Sequence, residues 1–395
     1  MPWRDYAVVA DVILTSYDTS VTTVNLANAT TVQTAQSSRV SDTDGSRQVT
    51  ALFAPGTTAT MNKKTGGTQS LPALHVRMTE YTVGDEGLRA MPGPLPAASA
   101  YTYAVELSVD EAIADGRKVA GKDVLFNQPV RVFIDNFLDF PVGEPVPVGY
   151  YDSARAAWIA ADSGKVIAVL GVDSAGRAQV DLTGSGTPAA AAALDAIGLN
   201  ADILTALAAT HPAPTSLWYA QLTHFSTWDI NWGELWVDGS EAPNQRDAGQ
   251  NDETPPDPPT KCNSIVECEG QVLGEQLTLV GSPLTLNYRS ARTPGYQAGY
   301  HIDIPLTDAT PPAPLLSILL EVDIAGRRFN WSFAPGANLT HPFIWDGKDA
   351  YGRIVQGTQM AQINIGYVYG AQYGTTPRFG EPPTGPMTAT RGTRT

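Results

Sequence analysis

The chain has 395 residues, a formal net charge of −15 and a pI near 4.7. Duplex nucleic acid and anionic membrane surfaces repel such a chain, and no basic stripe offsets that repulsion. No run of about 18 apolar residues occurs, so no transmembrane helix is expected. The 36 glycines and 30 prolines, beside plentiful Val, Thr, Tyr and Ile, point to an all-β protein with many turns.

The start, MPWRDYAVVADVILTSYD, carries Asp5 and Asp11 inside its apolar stretch. It lacks a basic lead and a small-residue cleavage site, so it does not read as a signal peptide. Residues 1–45, rich in Thr, Ser, Val and Asn, read as a β-prone, weakly cored arm. From Ser46 the pattern tightens. RQVTALFAPGTTATM is a strand, a Pro55-Gly56 turn and a second strand. ALHVRMTEYTV and SAYTYAVELSVDEA alternate, the first with Leu74, Val76, Met78, Tyr81 and Val83 on its apolar face. QPVRVFIDNFL, VPVGYYD, AAWIAAD and KVIAVLGVD are short strands about 8–12 residues apart, a spacing that suits a sandwich. GYYDSARAAWIAADSGKV reads as two hairpins, turning at Asp152-Ser153 and at Asp162-Ser163-Gly164.

Residues 187–209 break the rhythm. Thr187 can cap a helix, Pro188 fits a first turn and Gly198-Leu199-Asn200 ends it, with a second short helix from Ala201. Strands resume in TSLWYAQLTHFSTWDINW, which completes a first sandwich region over 46–237. Residues 238–261, acidic and proline-rich, cannot bury apolar surface and read as a linker. A second β-domain is expected over 262–370, with Ala325-Gly326 and Asp346-Gly347 as hairpin turns. The segment 371–395 reads as a tail that frays. The expected architecture is therefore a tandem of Ig-like β-sandwiches with a short helical insertion.

The two cysteines, Cys262 and Cys268, allow either a small-loop disulfide in an oxidising compartment or two free thiols. A zinc site would need two further ligands, and no histidine lies nearby. DLTGSGTP, 181–188, alternates oxygens like a calcium loop. Asp181 is its only carboxylate, so a glycine-rich turn is the expected reading. WDGKDAYGR, 345–353, places Asp346 and Asp349 where they could flank a cation or a sugar, but Asp-Gly more commonly marks a turn. The tryptophans at 228, 232 and 236 suit sugar stacking or a core, and the core is favoured. No metal site and no cofactor are expected.

The triplet His224-Phe225-Ser226 carries the sharpest chemistry. On a strand, His224 and Ser226 share a face. His224 could then take the Ser226 hydroxyl proton while the hydroxyl attacks the Phe225 carbonyl, breaking the Phe225–Ser226 bond by an N-to-O acyl shift. The simpler reading puts His224 and Ser226 in solvent and Phe225 in the core.

Two resemblances follow from longer phrases. VTALFAPGTTATM, LPALHVRMTEYTVGDEGLRAMPGPLPAASAYTYAVELSVDEA and PVRVFIDNFLDFPVGEPVPVGYYD resemble the pre-repeat region of large bacterial Rhs/YD-repeat proteins, relatives of teneurins. VECEGQVLGEQLTLVGSPLTLNYRSARTPGY resembles the segment leading into their repeats. FIWDGKDAYGRIVQGTQ is similar to the Ig-like strand pair that follows. The resemblance covers about 40–370. It implies a non-enzymatic structural or adhesion-type module, partnered by a protein or by the family's β-shell of repeats, in a bacterial, extracellular or cell-surface setting. The chain stops at Thr395 before any YD repeats, which reads as a stand-alone module or a truncated gene product. Family members often have a carboxylate-rich loop where this chain has DLTGSG, which weakens an inherited calcium role. More faintly, GYYD and the closing THFS resemble the paired sandwich domains of netrin receptors and death-domain adaptors, some of which cleave themselves at His-Phe-Ser. That resemblance implies His224 as base, Ser226 as nucleophile and Phe225 as carbonyl donor. A third reading is a carbohydrate-binding module that uses exposed aromatics of the second domain.

Overall fold

The computed structural model describes residues 13–83, 87–116, 124–243, 274–289, 300–355 and 359–387. Cys262, Cys268 and most of the acidic linker lie outside them. The described residues divide into two units. One takes in residues 13 to 236 and 371 to 387, the other those from 237 to 370.

The fold is all-β. In the first unit the chain forms β1 (Thr22–Asn25), β2 (Gln33–Gln36), β3 (Val40–Asp42), β4 (Gly45–Arg47), β5 (Val49–Phe53), β6 (Ala59–Asn62), β7 (Thr68–Leu71), β8 (Ala73–Glu80) and β9 (Tyr103–Val109). A short helix α1 (Asp110–Ala114) precedes the long β10 (Val124–Asp135), followed by β11 (Pro145–Val146), β12 (Val148–Asp152), β13 (Ala157–Ala160), β14 (Gly164–Val172) and β15 (Ala178–Asp181). Two helices, α2 (Ala191–Ala196) and α3 (Ala201–Thr210), lead into β16 (Thr215–Phe225), β17 (Thr227–Ile230) and β18 (Gly233–Trp236).

These strands make two large sheets. One has six strands in the order β1-β8-β9-β17-β12-β13. The other follows the path β11-β14-β16-β10-β5-β2, with β15, β6 and β7 at its margins. Strand alternation explains how they pack. On β10, Val130, Val132 and Ile134 enter the core between the sheets, as do Trp218, Ala220 and Leu222 of β16. The alternate residues Phe133, Leu217 and Tyr219 enter a second core on the other face of the larger sheet, against Leu194, Ile203, Leu204 and Leu207 of the two helices. β10 and β16 are thus covered on both faces along their middles, VRVFI and LWYA, which are mostly apolar for that reason.

Several findings depart from the sequence expectations. Residues expected as a loose arm are built in: β1 pairs with β8, β2 pairs with β5, and Val24 and Ala35 are fully buried. The expected tail forms β26 (Ala371–Gly374), which pairs with β18, and Tyr373, Phe379 and Met387 anchor it in the core at intervals among the glycines and prolines. β12 and β13 form the expected hairpin, but Asp162-Ser163-Gly164 carries the chain from the smaller sheet to the larger one and closes no hairpin. The first helix begins at Ala191 rather than near Thr187, because residues 183–186 fold back onto the Asp181 carboxylate and Ala189 N–H bonds Val180 O. The second helix starts as read, with the Asn200 side chain accepting from Ile203 N at 3.1 Å.

In the second unit β19 (Gly274–Thr278) and β20 (Thr285–Arg289) pair as a hairpin. β21 (His301–Pro305) pairs with β24 (Thr340–Ile344). β22 (Leu315–Ile324) lies between β23 (Arg327–Phe333) and β25 (Ala361–Tyr369). Ile304, Ile318, Leu320, Val322, Phe343 and Trp345 form their shared core. The β22–β23 turn is Ala325-Gly326 as expected, with φ of 50° and 77°, the two left-handed positions such a hairpin requires. Asp346-Gly347 does not join two paired strands: it leads to an isolated bridge between Lys348 and Ile354.

Candidate functional site

The His224-Phe225-Ser226 triplet sits where the chain changes sheets. β16 ends at Phe225, β17 starts at Thr227, and Ser226 is the corner between them. Phe225 lies opposite Val124, while Thr227 lies opposite Glu106 in the other sheet. The corner is held by Leu107 N, which donates to Ser226 O at 3.0 Å.

Phe225 is fully buried, edge-on to Phe126 with centroids 4.9 Å apart and to Phe53 at 6.1 Å. The expectation that it fills the core holds. The companion expectation, that His224 and Ser226 face solvent, does not: they are 3% and 1% exposed. The His224 ring packs between Tyr150 and Trp228, at 4.8 and 4.7 Å between centroids, and Trp228 Nε1 donates to His224 O at 3.2 Å. The Ser226 hydroxyl is buried without a hydrogen-bond partner among the described residues. The bend at Ser226 removes the strand alternation on which a shared face for His224 and Ser226 depends. None of the three takes a left-handed φ, so the backbone stores no strain of that kind at the Phe225–Ser226 bond.

Beyond the corner lies a polar layer that sequence reading missed. Trp228 and Ile230 point into the core, so Thr227, Asp229 and Asn231 occupy the opposite face of the smaller sheet. Asn231 Oδ1 accepts from Thr102 N at 2.8 Å and Tyr103 N at 3.1 Å, and its Nδ2 donates to Asp229 Oδ2 at 2.8 Å. Thr227 Oγ1 donates to Glu106 Oε2 at 2.5 Å. Asp229 is fully enclosed, and burial pushes its carboxyl well above the usual range, against the lowering effect of Ile230 N–H. Its cross-strand neighbour is Gly149, whose missing side chain leaves room for the Phe379 ring. The signal was present as an Asp-x-Asn pair between tryptophans, but nothing in the sequence says that a later segment covers it.

The remaining candidates are structural turns. The Asp181 carboxylate accepts from the N–H groups of Thr183, Gly184 and Gly186 at 2.8, 3.1 and 2.7 Å. Burial raises its pKa, and these hydrogen bonds outweigh that and lower it. Asp349 does the same for Tyr351 N, Arg353 N and Arg353 Nε, and Asp173 for Ala175 N, Arg177 N and Arg177 Nε. Both are Asp-x-x-Gly-Arg, DSAGR at 173–177 and DAYGR at 349–353, with the glycine at φ of 81° and 76°. Asp346 pairs instead with Arg327 at 2.6 Å. No group of three or more metal-ligating side chains occurs among the described residues.

Two recesses lie on the first unit. One, of about 160 Å³, is lined by Asp18, Arg47 and Glu80, and the Arg47 guanidinium is taken by Glu80 at 2.6 Å and Asp42 at 2.7 Å. The other, of about 350 Å³, holds Arg39 paired with Asp135 at 2.9 Å, and His211, which bonds Thr210 and Thr50. Their polar groups serve each other. The tryptophans divide as well: Trp228 and Trp232 are core, and Trp236 is 56% exposed. In the second unit Trp345 is buried and Trp331 half-buried, while Tyr288 and Tyr351 are exposed.

Residues 302–375 match the sequence model of the Teneurin 1-4, FN-plug domain. The chain is 40% identical to Teneurin-3 of Mus musculus over 101 residues, 26% of this chain and 4% of that protein. It is 39% identical to Teneurin-4 of Homo sapiens over 101 residues, with the same coverage. To Teneurin-1 of Caenorhabditis elegans it is 32% identical over 110 residues, 28% of this chain and 4% of that protein. The chain thus spans about 4% of the length of the curated relatives it matches. The matched stretch runs from β21 to β26, so the second unit's sandwich is similar to a teneurin FN-plug domain.

Proposed function

We propose that the chain is a non-enzymatic structural module of a teneurin-like protein, acting by strand surfaces and partner contacts at or outside the cell surface. The observation that carries this reading is the FN-plug match over 302–375. The finer reading is a module of the bacterial Rhs/YD-repeat type whose second unit seats on a β-shell of repeats. The paired polar groups of both recesses agree with it, since catalysis calls for convergent groups left available to substrate. Co-expression of the chain with a YD-repeat segment of a teneurin-like protein, tagged on the chain alone, tests it. A stoichiometric complex is expected, and a chain that elutes alone overturns the reading.

A second reading, single-turnover cleavage between Phe225 and Ser226, is favoured by one observation: the Ser226 hydroxyl is buried and makes no hydrogen bond among the described residues. Intact mass of the purified protein decides it. Two fragments meeting at that bond, absent in Ser226→Ala, support cleavage. A single full-length species after days at neutral pH removes it.

A further inference from the structure

Residues 375–387, beyond β26, fold back on the first unit as a closed loop. Thr375 N donates to Gly385 O and Thr384 N to Thr375 O, each at 2.9 Å, and Met387 N donates to Tyr373 O at 3.1 Å. At the tip, Glu381 N donates to Arg378 O at 3.1 Å, and Gly380 at φ of 78° supplies the left-handed position of that turn. Gly233 N donates to Thr376 Oγ1 and Ser163 Oγ to Pro377 O, both at 2.7 Å, and tie the loop down. The tip residue Phe379 is buried, with its ring centroid 6.2 Å from that of Trp158, and a Cβ on Gly149 would lie 2.6 Å from its ring. Phe379 is therefore a plug seated in the notch that a glycine leaves.

A buried carboxyl group lies beside that notch. Asp229 is directly across from Gly149, and opposed residues of paired strands share a face. Asp229 is fully buried. Its Oδ2 accepts from Asn231 Nδ2 at 2.8 Å, and its Oδ1 has no hydrogen-bond partner among the described residues. An enclosed carboxylate with only amide donors is costly to ionise, so burial favours the neutral acid. The charged and titratable groups of the elements around it are Glu106 of β9, Tyr151 of β12, Arg89 and Tyr101 of the segment before β9, and Arg378 and Glu381 of the loop. None of them bonds Asp229 among the described residues. Glu106 takes the Thr227 hydroxyl, and Arg378 and Glu381 are exposed.

We propose that residues 375–387 are a latch over Asp229, closed by Phe379 while the carboxyl group is protonated and opened when it ionises. Opening lets water reach Asp229 and Asn231, which supplies the hydration that the ionised group lacks in the closed form. The closed form holds the proton and the open form gives it to solvent, so each opening releases one proton. Above the ordinary carboxylate value of about 3.9, and until the raised folded value is passed, the open population then climbs about tenfold per pH unit. The latch thus couples the fastening of the return segment beyond β26 to pH.

Pulsed trypsin digestion of the full chain at a series of pH values from about 6 to 9 tests the latch, because the exposed Arg378 stands next to Phe379 at the tip. Cleavage after Arg378 is read by mass and expressed relative to a free peptide of residues 371–387 at the same pH. The expected rate rises about tenfold per pH unit, while cleavage after the buried Arg47 and Arg131 stays slow throughout. Asp229→Asn removes the slope and keeps the loop closed. Gly149→Ala, whose Cβ displaces the Phe379 ring, gives fast cleavage at every pH. A rate in the unmutated chain that ignores pH overturns the proposal, a readout that needs no variant to fold. A slope that persists in Asp229→Asn overturns it too, as does slow cleavage in Gly149→Ala. So does cleavage after Arg47 that rises in step with Arg378, which marks unfolding of the whole unit.

Discussion

At the scale of single residues, burial decides what the reactive-looking side chains do. Phe225 is locked between two rings, so Phe225→Ala should cost about 3–5 kcal/mol, read from urea unfolding. A much smaller loss would show that the corner is loosely packed. Asp229 and Asp181 are two carboxylates with opposite consequences for pH. The Asp229 pKa is raised, so its folded form binds more protons than its unfolded form once pH exceeds about 3.9, and stability falls as pH climbs toward the folded value. Asp229→Asn removes that decline, and unfolding free energies from pH 4 to 8 should be flatter in the variant. Equal slopes would mean that Asp229 does not titrate against folding. The Asp181 pKa is lowered, so its contribution is present above about 3.9 and fades as pH falls through the folded value.

At the scale of elements, what was legible depended on how local the cause is. Asn200 caps its helix and Ala325-Gly326 makes its turn through their own backbone and side chains, and both could be read from the sequence. Asp162-Ser163-Gly164 reads as a hairpin turn and Ser226 as part of a strand, but both move the chain between sheets. Which strand comes next to which is set by residues dozens of positions away. The same holds for the segment 371–387, whose composition reads as loose and whose Tyr373 and Phe379 find their pockets only in the folded unit. Asn200→Ala should cost about 1 kcal/mol in thermal or urea unfolding. Gly164 is harsher: a Cβ there would sit 1.9 Å from Tyr219 O, so Gly164→Ala should destabilise by about 3 kcal/mol or prevent folding. Gly352 is milder, with open space around it and φ of 76°. Gly352→Ala should cost about 1 kcal/mol from backbone alone, and Gly352→Asn less. If Gly164→Ala proved no worse than Gly352→Ala, the close β14–β16 approach would be wrong.

At the scale of the molecule, the fold class and the relationship to teneurin-type sequences were both legible, because strand spacing and long phrases survive without knowledge of pairing. The surroundings of the triplet were not: His224 and Ser226 read as neighbours on a strand, and the fold makes Ser226 the corner where that strand ends. The first unit is a two-core sandwich, and the proposed function assigns partner contacts to the second. The most direct test is hydrogen–deuterium exchange of the chain alone and in complex with a YD-repeat segment. Slower exchange confined to strands of the second unit, β21 to β25, is the result predicted. Protection absent there, or centred instead on residues 224–226 of the first unit, would contradict it.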